Sequence, residues 1–152
     1  MGIWRGKRFL NQPSSGKQMK PWYQDGLRFK CTGCGKCCTG PSGYVWVSPE
    51  EAQAMAEHLN ISLDTFIKKY TRLLGGRLSL AEKRQGNNYD CIFLEGKRCT
   101  AYEVRPQQCR TYPWWKENIA TAEDWKDEAL RCEGINHPDA PLISIDDIRK
   151  HL

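Results

Sequence analysis

Cys31-Thr32-Gly33-Cys34-Gly35-Lys36-Cys37-Cys38 places four cysteines within eight residues, in the spacing C-x2-C-x2-C-C. Two intervening residues let successive sulfurs turn toward one point, a spacing used by zinc sites and by ferredoxin-type cluster loops. Gly33 and Gly35 free the backbone to fold tightly and to bring amides toward the sulfurs. Gly40, Pro41 and Gly43 continue the same loop character. The stretch therefore reads as a loop wrapped around a bound group. Its adjacent pair carries a geometric expectation. In an extended chain neighbouring side chains face opposite ways, so Cys37 and Cys38 are not expected to share one regular tetrahedral ion. One would ligate while the other packs, or each would serve a different metal.

Four more cysteines follow downstream. Cys91 and Cys99 flank Glu95-Gly96, which reads as a hairpin turn able to bring them together. Cys109 lies in Arg105-Pro106-Gln107-Gln108-Cys109-Arg110. Pro106 restricts the backbone there, and the two arginines are expected to lower the thiolate pKa and to offset the charge of a thiolate site. Cys132 follows a weakly helical stretch. The candidate metal ligands are thus Cys31, Cys34, Cys37, Cys38, Cys91, Cys99, Cys109 and Cys132. They suffice for two four-thiolate sites, or for one site with a reactive or structural remainder. Among the histidines, His58 and His151 read as surface residues, and His137 keeps a minor claim as a ligand through its nearness to Cys132.

Eight cysteines in 152 residues are many for an intracellular chain and few for a disulfide scaffold. Residues 1–8 carry charge but no apolar signal core, and no run approaches a membrane span, so no membrane association is expected. A cytoplasmic setting follows, where clustered thiols stay reduced and mean metal or redox chemistry. The net charge of +5 is uneven: residues 1–30 hold +6 and the remainder −1. That leading segment is expected to be solvated, or else to meet nucleic acid or another acidic partner. No Ser-His-Asp set, phosphate-binding glycine loop or dinucleotide fingerprint is present.

The rest predicts an α+β fold: a small, loop-rich single domain with short strands and a few short helices around a cysteine-ligated metal site. Residues 1–25 read as a basic flexible arm and 26–152 as the cysteine-cluster domain. Trp4, Phe9, Trp22 and Tyr23 are available to pin parts of the arm. Ser48-Pro49-Glu50-Glu51 is a helix start with a capping box, followed by Ala52, Met55, Ala56 and Leu59 at helical spacing. Ser62 begins a second helix carrying Leu63, Phe66, Ile67 and Tyr70. Tyr44 to Val47 is β-prone, Gly75-Gly76 and Gly86-Asn87-Asn88 break the chain, and Thr121 and Ser144 read as further caps. Tyr112, Trp114, Trp115 and Trp125 are expected in the core.

The cysteine loop, Cys91 and Cys99 about their turn, and the segment Tyr102-Glu103-Val104-Arg105-Pro106-Gln107-Gln108-Cys109-Arg110-Thr111-Tyr112-Pro113 together resemble the YkgJ-type cysteine-cluster family over roughly residues 31–113. The resemblance implies chelation of zinc or iron, the iron alone or as an iron–sulfur cluster, by Cys31, Cys34, Cys37, Cys38, Cys91, Cys99 and Cys109. Cys132 lies beyond its surest part. The expected function is a metal-binding domain. The competing readings are a redox enzyme or accessory protein-modification module using the cluster, and a nucleic-acid-associated protein whose basic arm contacts phosphate.

Overall fold

The computed structural model describes residues 19–152. The arm's residues Arg5, Lys7, Arg8 and Lys17, with Trp4 and Phe9, lie outside them. In chain order the strands are β1 Leu27–Arg28, β2 Thr71–Leu74, β3 Arg77–Leu80, β4 Glu82–Gln85, β5 Asn88–Cys91, β6 Leu94–Glu95, β7 Arg98–Cys99 and β8 Leu142–Ile143. The helices are α1 Pro49–His58, α2 Leu63–Tyr70, α3 Gln107–Arg110, α4 Ala122–Arg131 and α5 Ile145–Arg149. Short helices and short antiparallel pairs make this a small α+β domain.

Helix starts follow their capping chemistry. The Ser48 hydroxyl accepts the Glu51 amide at 3.1 Å, the Glu51 carboxylate accepts the Ser48 amide at 2.9 Å, and Pro49 opens α1. Ser62, Thr121 and Ser144 cap α2, α4 and α5 in the same manner, each accepting an amide three residues on. The apolar stripe of α1 then buries Ala52, Met55 and Ala56 against Phe66 of α2. Met55 and Phe66 are fully buried, so truncating either to alanine costs about 2–5 kcal/mol. Val47, Leu80 and Phe93 complete this first core, and Tyr70 stacks on Phe93 with centroids 5.1 Å apart.

The strands form four separate two-stranded ladders: β1–β8, β2–β3, β4–β5 and β6–β7. Gly75-Gly76 is the turn of the β2–β3 hairpin, whose first strand the sequence did not reveal. The β-prone run at Tyr44–Val47 gives only an isolated bridge, Trp46 to Ser79, with the Val47 amide donating to Leu78 and the Leu80 amide to Val45.

A second core gathers Leu27, Trp114, Ile119, Trp125, Cys132, Ile135 and Ile148. Trp114 and Trp125 stack at 5.4 Å and are buried as the core reading expects, while Tyr112 only packs against this core and Trp115 is half-buried outside it. Trp22 and Tyr23 are tied to this half: the Trp22 indole donates to the Ile119 carbonyl at 2.8 Å, and Tyr23 packs against the core. The cysteine loop runs between the two cores. Leu27 to Phe29 join β8 and Ile135 on one side, and Gly40 meets the β4–β5 hairpin through the Tyr89 amide at 2.7 Å on the other.

Candidate metal centre

Gly35 decides the shape of the cysteine loop. Its backbone is left-handed (φ 73°), and a Cβ there would stand 2.8 Å from the Lys97 carbonyl oxygen. Glycine therefore lets the loop dock on the β6–β7 turn. The next three residues, Lys36–Cys38, form a 3-10 turn closed by the Cys38 amide on the Gly35 carbonyl at 3.0 Å. That turn overrides the expectation that the adjacent cysteines face apart. The Sγ atoms of Cys37 and Cys38 lie 3.8 Å apart. Two thiolates bound at about 2.3 Å to one tetrahedral ion stand about 3.8 Å from each other. The alternation argument failed because it holds for extended chain, and this segment is helical.

Cys91 ends β5 opposite Glu82, Cys99 ends β7 opposite Leu94, and Cys109 sits in α3. The hairpin about Glu95-Gly96 is shorter than expected, so Cys91 belongs to a different ladder from Cys99. The two are nonetheless within electrostatic reach, and charge on Cys37 raises the pKa of Cys38, Cys91, Cys99 and Cys109 alike. Cys37 thus lies within electrostatic reach of four other thiols. Cys37 is held down at about 7, first by the contact with Cys38, then by backbone hydrogen bonding and the Arg131 and Arg105 guanidinium groups. Cys38 is driven up by the same contact and by burial. Burial pushes Cys91 up to about 11 and Cys109 up to about 12. The expectation of a lowered Cys109 is therefore corrected: Arg105 does act on it, but desolvation outweighs one cation. Arg110 turns instead to Glu51 at 3.9 Å and to the Arg105 carbonyl.

Of the remaining thiols, Cys34 and Cys132 lie within electrostatic reach of each other. Cys132, 8% exposed, follows the last turn of α4, its amide donating to Glu128 at 2.8 Å. Burial raises its pKa, the Gly134 and Ile135 amides and the Tyr112 hydroxyl oppose that, and Cys34 raises it further. Cys31 precedes Thr32, whose hydroxyl donates to the Glu133 carboxylate at 2.8 Å. His137 accepts the Asp139 amide at 3.1 Å through Nδ1, a local turn contact.

Sequence reasoning missed the groups that hold the loop. Arg131 donates to the carbonyls of Lys36 (3.4 Å) and Thr39 (3.0 Å), and Glu133 pairs with Lys36 at 3.4 Å. Thr39 donates to Asp90 of β5. In sequence these are ordinary charged and polar residues, and nothing local marks them. A small cavity of about 30 Å³ is lined by Cys37, Cys38, Cys91, Tyr44, Glu82 and Arg131. All eight cysteines are free thiols. Among the described residues, no three His, Cys, Asp or Glu side chains lie close enough to hold an ion between them. The donor set is rich in sulfur, and one pair has the separation of two ligands on a tetrahedral ion.

The CxxCxxCC family, described as a "putative zinc- or iron-chelating domain", matches residues 30–133. The match covers more than half of the chain, and the chain belongs to this family, which is the YkgJ-type family. An uncharacterized protein of Methanocaldococcus jannaschii is 33% identical over 94 residues, covering 60% of this chain and 48% of that protein. The chain spans about half the length of this curated relative. No solved structure matches it. Among the described residues, no helix is long and apolar enough to cross a membrane.

Proposed function

We propose that the domain chelates a zinc or iron ion in a mononuclear thiolate site founded on the Cys37–Cys38 pair, with two further ligands drawn from Cys91, Cys99 and Cys109. The observation that carries this reading is the 3.8 Å separation of the paired sulfurs. It matches two ligands of one tetrahedral ion. In a four-iron cluster each cysteine holds a different iron, and ligands stand farther apart. A two-iron cluster, with two thiolates per iron, would also accept the pair and is separated by its sulfide. Cys31, Cys34 and Cys132 remain available to another ion.

Bound zinc would supply cross-linking and folding energy, and iron would add redox chemistry. The protein's own part is to present reduced thiols, hold the pair at chelating distance and shield the downstream cysteines. The domain doing this is residues 26–152, with residues 1–25 as a basic arm. Thiolate ligands need a reducing compartment such as the cytosol.

The test is anaerobic purification with elemental analysis, sulfide determination and a visible spectrum, on wild type, Cys38→Ser and Cys132→Ser. The mononuclear reading expects zinc or iron without sulfide, held about ten-fold or more weaker in Cys38→Ser. Iron with equimolar sulfide would replace it by a cluster and favour the redox reading. A folded, metal-free protein that takes up neither ion would refute chelation altogether.

A further inference from the structure

The groups on either side of the cysteine pair are both held from the same place. Arg131, the last residue of α4, spans the 3-10 turn by donating one guanidinium nitrogen to the Lys36 carbonyl at 3.4 Å and the Thr39 carbonyl at 3.0 Å. Those carbonyls bracket Cys37 and Cys38. Two residues on, Glu133 binds the Thr32 hydroxyl at 2.8 Å and the Lys36 ammonium at 3.4 Å. Beyond it the Lys30 amide donates to the Gly134 carbonyl at 3.1 Å, and the Asn136 amide to the Arg28 carbonyl at 2.9 Å. Residues 131–136 therefore run along residues 28–39 as a strap. Its anchor is rigid, because Trp125 of α4 is buried and stacked on Trp114 in the second core.

A one-turn 3-10 helix has poor hydrogen-bond geometry and leaves its end carbonyls without partners. Only the Cys38 amide closes this turn from within. One guanidinium nitrogen of Arg131 satisfies both outer carbonyls. We propose that Arg131 is a positioning residue of the metal centre: by clamping the Lys36 and Thr39 carbonyls it holds the Cys37 and Cys38 sulfurs at chelating distance. The proposal rests on the chelation reading above and assigns a specific residue to it. The second core is thereby coupled to the site although it supplies the pair with no ligand.

The experiment compares full-length wild type, Arg131→Lys and Arg131→Gln, loaded with cobalt(II) as a spectroscopic stand-in and with zinc in competition against a chelator. Residues that orient ligands typically change metal affinity by about 10–100-fold. Arg131→Gln is expected to lose affinity in that range and to shift the cobalt–thiolate charge-transfer band. Arg131→Lys, which keeps charge and donors, should recover part of both. Amide exchange at Cys38 in the metal-free protein should quicken in Arg131→Gln. A variant that lowers thermal stability yet leaves affinity, cobalt spectrum and Cys38 exchange unchanged would overturn the proposal. If wild type binds neither metal, chelation fails as a reading and the positioning role falls with it. Cys38 exchange then still shows whether the arginine holds the turn.

Discussion

The Sγ atoms of Cys37 and Cys38 stand 3.8 Å apart because Gly35 and a single 3-10 turn carry both side chains to the same side of the loop. Adjacent residues thereby become a chelating pair, and the free thiols around them set how that pair responds to pH.

Metal affinity should rise with pH. Metal-free, Cys91 and Cys109 sit at about 11 and about 12, and Cys38 is also raised, so each must shed a proton to bind. The contact with Cys38 lowers Cys37, so the pair sheds its first proton before the other thiols do. With Cys37, Cys38 and two of the other three as ligands, about three to four protons should leave per ion, more at lower pH. Zinc competition titrations from about pH 6 to about pH 8 measure the slope. A flat profile would exclude these thiols as ligands.

The metal-free, reduced protein should lose stability in alkali. Burial raises Cys91 and Cys109 above the unfolded thiol value near 9. Their contribution is then fully present below pH 9 and is lost as pH rises from there toward 11 and 12, since the unfolded chain ionises first. Urea midpoints at pH 9, 10 and 11 should fall in that order. Midpoints that hold steady would mean these sulfurs are solvated.

Gly35→Ala should cost more than Gly33→Ala. Both glycines have positive φ, 73° and 69°, so both substitutions carry a backbone penalty of about 1 kcal/mol. Only at Gly35 does a new Cβ meet something, the Lys97 carbonyl oxygen at 2.8 Å; at Gly33 nothing lies within 4 Å. The excess cost in Gly35→Ala should come with weaker metal binding, read by denaturation and zinc competition. Equal behaviour of the two variants would show that docking on the β6–β7 turn does not matter.

Glu51 should be worth more than Ser48. Ser48→Ala removes an N-cap at about 1 kcal/mol. Glu51→Ala removes the other half of the capping box and also the acceptor for the Gln107 amide, 2.7 Å away at the start of the helix that bears Cys109. Thermal denaturation should rank Glu51→Ala below Ser48→Ala, and metal affinity should fall only in Glu51→Ala. The reverse ranking would separate α1 from the cysteine site.

Much of the local structure was legible in the chain. Ser48, Ser62, Thr121 and Ser144 each cap a helix where their spacing to an acceptor-seeking amide predicts it. Those interactions are completed within three residues, so sequence alone contains both partners. The β2 strand was not legible, because Thr71–Leu74 exists only through its pairing with Arg77–Leu80. The extent of the hairpin about Gly96 was misjudged for a related reason: Cys91 pairs with Glu82, and nothing near Cys91 announces that partner.

By itself the sequence determined that eight cysteines would be concentrated in a glycine-rich loop and three downstream segments, with capped helices to carry a core between them. Tertiary structure alone decided which of them come within electrostatic reach of one another: Cys37 with Cys91, Cys99 and Cys109, and Cys34 with Cys132. It also supplied Arg131 and Glu133 as the strap over the loop. Capping and turn formation are satisfied by neighbours in the chain. Bringing residue 37 to residue 109, or residue 131 to residue 39, depends on how two separately packed cores meet, and no short stretch of sequence contains both sides of that contact.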